Sequence, residues 1–132
     1  MRNATRPVGA RAGGMKIKIR ELDGDVGREV RAHAQTRIAL ALARFADRIG
    51  EVLVRFSDES ERQPSQGKRC EIEVVLSPRR VHAADDDADL FAAVERAAAR
   101  VARSVARALE QERELAERAA GGALSPRGRG AP

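Results

Sequence analysis

The chain has 132 residues, of which 42% are hydrophobic and 34% charged; that length suits one domain with tails, and that balance excludes a chain disordered throughout. The net charge of +5 points to an anionic partner, yet Arg2, Arg6, Arg11, Arg127 and Arg129 lie in acid-free ends. Taking those five from the 25 basic residues leaves 20 against 20 acidic ones, so an argument for a polyanionic partner has to rest on where the arginines sit and not on total charge.

Residues 1–14 are rich in Gly, Arg and Ala without a period and read as a flexible extension. Lys16 to Arg20 then alternates polar and apolar, the mark of a half-buried strand. Asp23 and Asp25 supply capping oxygens for a helix of about six turns whose apolar stripe is Val26, Val30, Ala34, Ile38, Leu42, Phe45 and Ile49, with Gly50 as its C-terminal stop. A second strand carries Val52, Val54 and Phe56 on one face, residues 57–68 form a polar loop, and a third strand carries Cys70, Ile72, Val74 and Leu76 before Pro78 stops it. Arg80 to Ala83 reads as a short fourth strand. Asp85, Asp86 and Asp87 follow as acidic groups at the positive end of a second helix, whose buried stripe is Phe91, Val94, Ala98, Val101, Val105 and Leu109. The expected fold is α+β in the order β-α-β-β-β-α, a four-stranded sheet with two helices on one face. Its expected bounds are 15–118, with 119–132 a disordered tail.

The pattern richest in chemistry is on the second helix, where Arg96, Arg100, Arg103 and Arg107 recur at spacings of four, three and four with no acid between them. At about 100° per residue they share one narrow face nearly opposite Val94, Val101 and Val105, and the row spans about 16 Å. A row of planar guanidinium forks can meet several phosphates along an RNA backbone. An ordinary solvated helix face accounts for the same pattern. The first helix adds Arg37, Arg44 and Arg48 with His33 on one flank, and Arg28 and Arg31 on the other; these are further candidates for RNA contact, although helix-surface ion pairs explain several of them equally well.

Other chemistries find little support. His33 and His82 lie in different elements, Cys70 points inward, and no glycine-rich loop lies between a strand and a helix. The acidic cluster from Asp85 to Asp89 is accounted for by helix capping more economically than by a divalent cation. Neither catalytic residue, metal, cofactor nor small-molecule substrate is expected, and the protein is not expected to be an enzyme. A lone cysteine fits a reducing compartment, and no apolar run approaches the roughly 20 residues that cross a bilayer. A cytoplasmic protein with no membrane partner is expected, its oligomeric state left open.

Three segments carry a family likeness. Residues 46–54 resemble the helix-to-strand junction of the bacterial hibernation-promoting factors, also called ribosome-associated translation inhibitors or sigma-54 modulation proteins; Val81-His82-Ala83 is similar to their fourth strand, and residues 89–95 to the opening of their second helix. The resemblance covers about residues 15 to 114, and to the short class of the family. It implies binding to the small ribosomal subunit through ribosomal RNA, in the channel used by messenger and transfer RNA, so that translation is inhibited in stress or stationary phase. By position it also implies Arg96, Arg100, Arg103 and Arg107 as RNA contacts. Phe91 stands where many members have Tyr, and Glu110, Glu112, Glu114 and Glu117 interrupt the positive face. Two alternatives stay open: a double-stranded RNA-binding module that reads shape, and a protein-interaction regulator of a transcription factor.

Overall fold

The computed structural model describes residues 15–22, 24, 26–58 and 67–124. Its elements are β1 (Lys16–Glu21), α1 (Arg28–Leu42), a 3₁₀ segment (Ala43–Arg48), β2 (Glu51–Asp58), β3 (Lys68–Val75), β4 (Arg80–Asp87) and α2 (Leu90–Leu124). The strands form one sheet in the order β1-β2-β3-β4. β1 runs parallel to β2 because α1 makes the crossover between them, and the other two pairs are antiparallel. The fold is α+β, as the order of periodicities implies.

Alternation decides which face of the sheet meets the helices. Ile17 and Ile19, then Val52, Val54 and Phe56, then Cys70, Ile72 and Val74, then Val81 and Ala83 all point inward and are buried. Against them α1 lays Val30, Ala34, Ile38 and Leu42, and α2 lays Leu90, Ala93, Val94, Ala97, Ala98, Val101, Val105 and Ala108. The core is aliphatic, with Phe56 its one fully buried aromatic ring among the described residues, and no polar or charged residue is buried there. The many alanines of α2 let the helix sit close to β3 and β4.

Several expectations need correction. The first helix is α-helical only to Leu42 and then tightens into the 3₁₀ segment. Positions three apart eclipse in a 3₁₀ turn, which keeps Phe45 in line with Leu42 and against the core. Gly50 is no left-handed cap: Ile49 is already extended at φ −96°, ψ 123°, and the Gly50 N–H donates to the Val75 carbonyl at 2.9 Å. Asp23 and Asp25 lie outside the described residues; the residue that caps α1 is Gly27, at φ 98°, without a side-chain bond. Phe91 is not in the core but 39% exposed at its rim, edge-on to the His33 ring with centroids 5.0 Å apart. The helix α2 also runs to Leu124, past the expected domain limit at 118. Beyond Leu109 it is exposed on every side as far as Gly121.

The correction with most bearing on function concerns β4, which does not stop at Ala83 but continues to Asp87. Asp85, Asp86 and Asp87 are paired with Cys70, Arg69 and Lys68 across the sheet instead of opening the helix. Asp89 takes the capping role: its carboxylate accepts from the Phe91 N–H at 3.0 Å and its carbonyl from the Ala93 N–H at 3.1 Å.

Candidate nucleic-acid interface

The α2 arginines stand along the flank of the helix that overlooks the edge strand β4. Because Asp85 and Asp87 continue the inward parity of Val81 and Ala83, their carboxylates rise toward that flank. Asp85 Oδ1 lies 3.2 Å from Arg96 Nε and its Oδ2 3.3 Å from Arg100 Nε, while Asp87 Oδ2 lies 2.6 Å from Arg96 Nη2. Arg96 Nη2 also donates to the Asp86 carbonyl at 3.1 Å. The hydrogen bond from Arg96 is the main reason the Asp87 carboxyl is held below its ordinary pKa, and the bond to Asp87 is the main reason the Arg96 guanidinium is pushed above its own. Arg103 and Arg107 are exposed and have no ion pair among the described residues.

The arginine row therefore has two halves. Its N-terminal half is neutralised by acids from β4; its C-terminal half is not. Sequence periodicity along one helix misses this, since the acids come from another element. The signal was present in β4 itself, where Asp85 and Asp87 keep the period of two set by Val81 and Ala83.

The α1 candidates divide the same way. Glu95 of α2 sits between His33 and Arg37, its Oε2 2.9 Å from Nε2 of the histidine and 3.0 Å from Nε of the arginine, which ties the two helices together. Arg48 donates two bonds to the Glu112 carboxylate at 3.0 and 3.1 Å, the last link between α2 and the body before the helix projects outward. Arg31 meets Glu21 at 2.6 Å. Arg44 lies 4.5 Å above the Phe45 ring, a cation–π contact that leaves its charge open to water. Arg28 is exposed on the first turn of α1 and has no acidic partner among the described residues.

The outer face of the sheet holds its own charges in pairs. Arg69 reaches both Glu71 and Asp86 at 3.0 Å, Arg55 reaches Glu71 at 3.3 Å, and Arg80 reaches Glu73 at 2.7 Å. Partial burial by itself would raise the Glu71 pKa, but the hydrogen bonds from Arg69 and Arg55 outweigh it and hold the carboxyl below its ordinary value. Those cations, satisfied by neighbouring carboxylates, offer little to a phosphate.

Among the described residues no group of three or more His, Cys, Asp or Glu side chains is placed to hold a metal ion. Among the same residues no helix is long and apolar enough to cross a membrane. Burial pushes the Cys70 thiol up to about 12, far from the thiolate a nucleophile needs.

With this geometry in place, comparison with known proteins decides the family. The sequence matches the family model described as sigma 54 modulation protein / S30EA ribosomal protein over residues 17–113. The chain belongs to that family. The S30EA match spans β1 through the first six turns of α2 and takes in the whole arginine row. Among solved structures, a ribosomal subunit interface protein from Coxiella burnetii is similar with a TM-score of 0.62 at 13% identity, over 71% of this chain and 97% of its own. The N-terminal domain of Protein Y from Thermus thermophilus is similar with a TM-score of 0.54 at 26% identity, over 67% of this chain and 92% of its own. No curated protein matches.

Proposed function

We propose that this member of the S30EA ribosomal protein family binds the small ribosomal subunit through ribosomal RNA. It occupies the channel used by messenger and transfer RNA and so silences translation in stress or stationary phase, as a cytoplasmic, non-catalytic factor. The mechanism is steric exclusion, with arginines fixing position by phosphate contacts and no covalent step. Family membership supports the ribosome as partner, as does the similar protein from Coxiella burnetii, which is described as a ribosomal subunit interface protein.

The observation that carries the RNA part is the state of Arg103 and Arg107: adjacent on one exposed helix face, one turn apart, and without carboxylate partners among the described residues. Cations in that state gain most from phosphate, because no internal ion pair has to be given up. Arg96, Arg100, Arg28, Arg31, Arg37, Arg44 and Arg48 are supporting contacts, and those already paired contribute less.

Sucrose-gradient fractionation of a stationary-phase lysate tests the reading. The protein is expected to travel with the small subunit at low salt and to leave it as salt rises. Association that ignores salt favours a protein partner, and binding to a bare RNA duplex without subunit association favours the shape-reading module.

A further inference from the structure

Two shallow hollows run along the junction of β4 and α2 and share Ser104 and Arg107 as walls. One, of about 270 Å³, is lined by His82, Ala83, Arg100, Arg103, Ser104 and Arg107. The other, of about 220 Å³, adds Arg79, Arg80, Val81, Ala108 and Gln111. Neither has a carboxylate in its lining. Three other hollows do: Asp58 and Asp89 between the N-terminal ends of the two helices, Glu29 beside the start of α1, and Glu51 on the outer face of β1 and β2.

The two hollows form one groove whose basic walls come from both sides. Arg103 and Arg107 descend from α2, about 6 Å apart along the helix axis. Arg79, in the turn before β4, is pinned against α2 by bonds from its guanidinium to the Ala108 carbonyl at 3.3 Å and to Gln111 Oε1 at 3.4 Å. Both of these partners are neutral, so the Arg79 charge is fixed in place without being cancelled. Arg80 begins the edge strand beside it and lines the second hollow, but its charge is met by Glu73 at 2.7 Å, so it adds no open cation. The Ser104 hydroxyl lies where the two hollows meet and can donate to an anionic oxygen.

We infer that this groove is the seat of the RNA strand: it holds successive phosphates of the sugar–phosphate backbone between Arg103 and Arg107 on one wall and Arg79 on the other, with Ser104 donating at the floor. The inference rests on the proposed RNA reading and adds to it contacts from outside the helix row. A backbone phosphate fits better than an acidic peptide for two reasons. The groove is lined by arginine forks, which bind phosphate oxygens in pairs, and apart from His82 and Val81 its described lining contains no aromatic or branched apolar side chain to anchor a peptide.

The test compares the full chain with Arg79→Gln, with Ser104→Ala and with Arg103→Gln/Arg107→Gln, each checked for folding by circular dichroism. The second variant leaves the Arg79 clamp intact, so the test survives if loss of the clamp disturbs the fold. Binding to purified small subunits and to a labelled single-stranded oligoribonucleotide is measured across a salt series. Each variant is expected to bind more weakly, with the logarithmic salt slope of the arginine variants flattened by about 0.7 to 0.9 per phosphate contact removed. Variants at Arg79 and Ser104 that bind as the parent does overturn the groove; if Arg103→Gln/Arg107→Gln still loses binding, the broader RNA reading stands. A parent that binds neither subunit nor oligoribonucleotide overturns both. Polyglutamate and inorganic phosphate serve as competitors at matched charge, and displacement by either one as effectively as by unlabelled RNA overturns the assignment of the groove to an RNA strand.

Discussion

Asp85, on the edge strand, holds Arg96, on the second helix, with its Oδ1 3.2 Å from the guanidinium Nε, and the other oxygen of the same carboxylate lies 3.3 Å from Arg100. One acid thus tempers two members of the arginine row. Asp85→Asn should release Arg100 toward RNA and loosen Arg96, which Asp87 still holds at 2.6 Å, while keeping the local backbone, since an amide oxygen can still accept from the Asp86 N–H that Asp85 now bonds at 2.9 Å. The expected result is tighter small-subunit binding with a steeper salt dependence, read from co-sedimentation at several salt concentrations. Unchanged or weaker binding would show that Asp85 orients these arginines and does not restrain them.

The same residue marks where sequence reading ran out. Alternation located β1, β2 and β3, and the stripes of Val30, Ala34, Ile38 and Leu42 and of Val94, Val101 and Val105 located both helices, because apolar period follows directly from burial on one face. Three consecutive aspartates look like a helix start, so apolar alternation alone ends β4 at Ala83 and not at Asp87. They are kept in the sheet by cross-strand cations, with Arg69 reaching Asp86 at 3.0 Å, and by the α2 arginines above. The arginine row was legible as a row. Its division into neutralised and open halves was not, because that depends on a neighbouring strand folding back to meet the helix in space. Arg79 and Ser104 were passed over for the same reason: neither shares a period with the row, and only the packing of β4 against α2 brings them beside Arg107.

Gly67→Ala should destabilise the domain by about 1–3 kcal/mol. Gly67 has φ of +68°, and a methyl group there would come within 3.0 Å of the Asp87 backbone carbonyl carbon and oxygen and 3.1 Å of the Ala88 nitrogen. Neither backbone group can rotate away, since Asp87 ends β4 and Ala88 leads into α2. Urea unfolding measures it, with the midpoint falling at unchanged slope.

Cys70 should report opening of the fold. Its thiol is fully buried, with a pKa of about 12, so a thiol reagent at neutral pH meets almost no thiolate in the native protein. The labelling rate is expected to be very slow in buffer and to rise with denaturant in step with the loss of circular dichroism. Rapid labelling of native protein would mean that the β3 region opens locally.

Val101→Asp should cost at least about 3 kcal/mol and leave little folded protein, because it places a carboxylate at a position with no exposure and no cation in the apolar layer between α2 and the sheet. Thermal melting by circular dichroism checks it. A melting temperature equal to the parent's is the outcome that excludes this packing of α2.

The two halves of the arginine row make the sharpest comparison. Arg103→Gln/Arg107→Gln removes charges with no internal partner among the described residues, so stability should barely move while small-subunit binding falls and its salt slope flattens by about 1.4 to 1.8 for two phosphate contacts. Arg96→Gln/Arg100→Gln should lose less binding, because the charge removed is already offset by Asp85 and Asp87, although those acids then stand exposed to the incoming RNA. Glu110 and Glu114 continue the same helix face beyond Arg107, on the projecting part of α2 where side chains are exposed. Changing both to Gln should tighten binding by removing repulsion near the open half of the row. Equal losses from the two arginine pairs, with no gain from the glutamate changes, would mean that the helix meets its partner along its whole length and that the β4 acids move aside on binding.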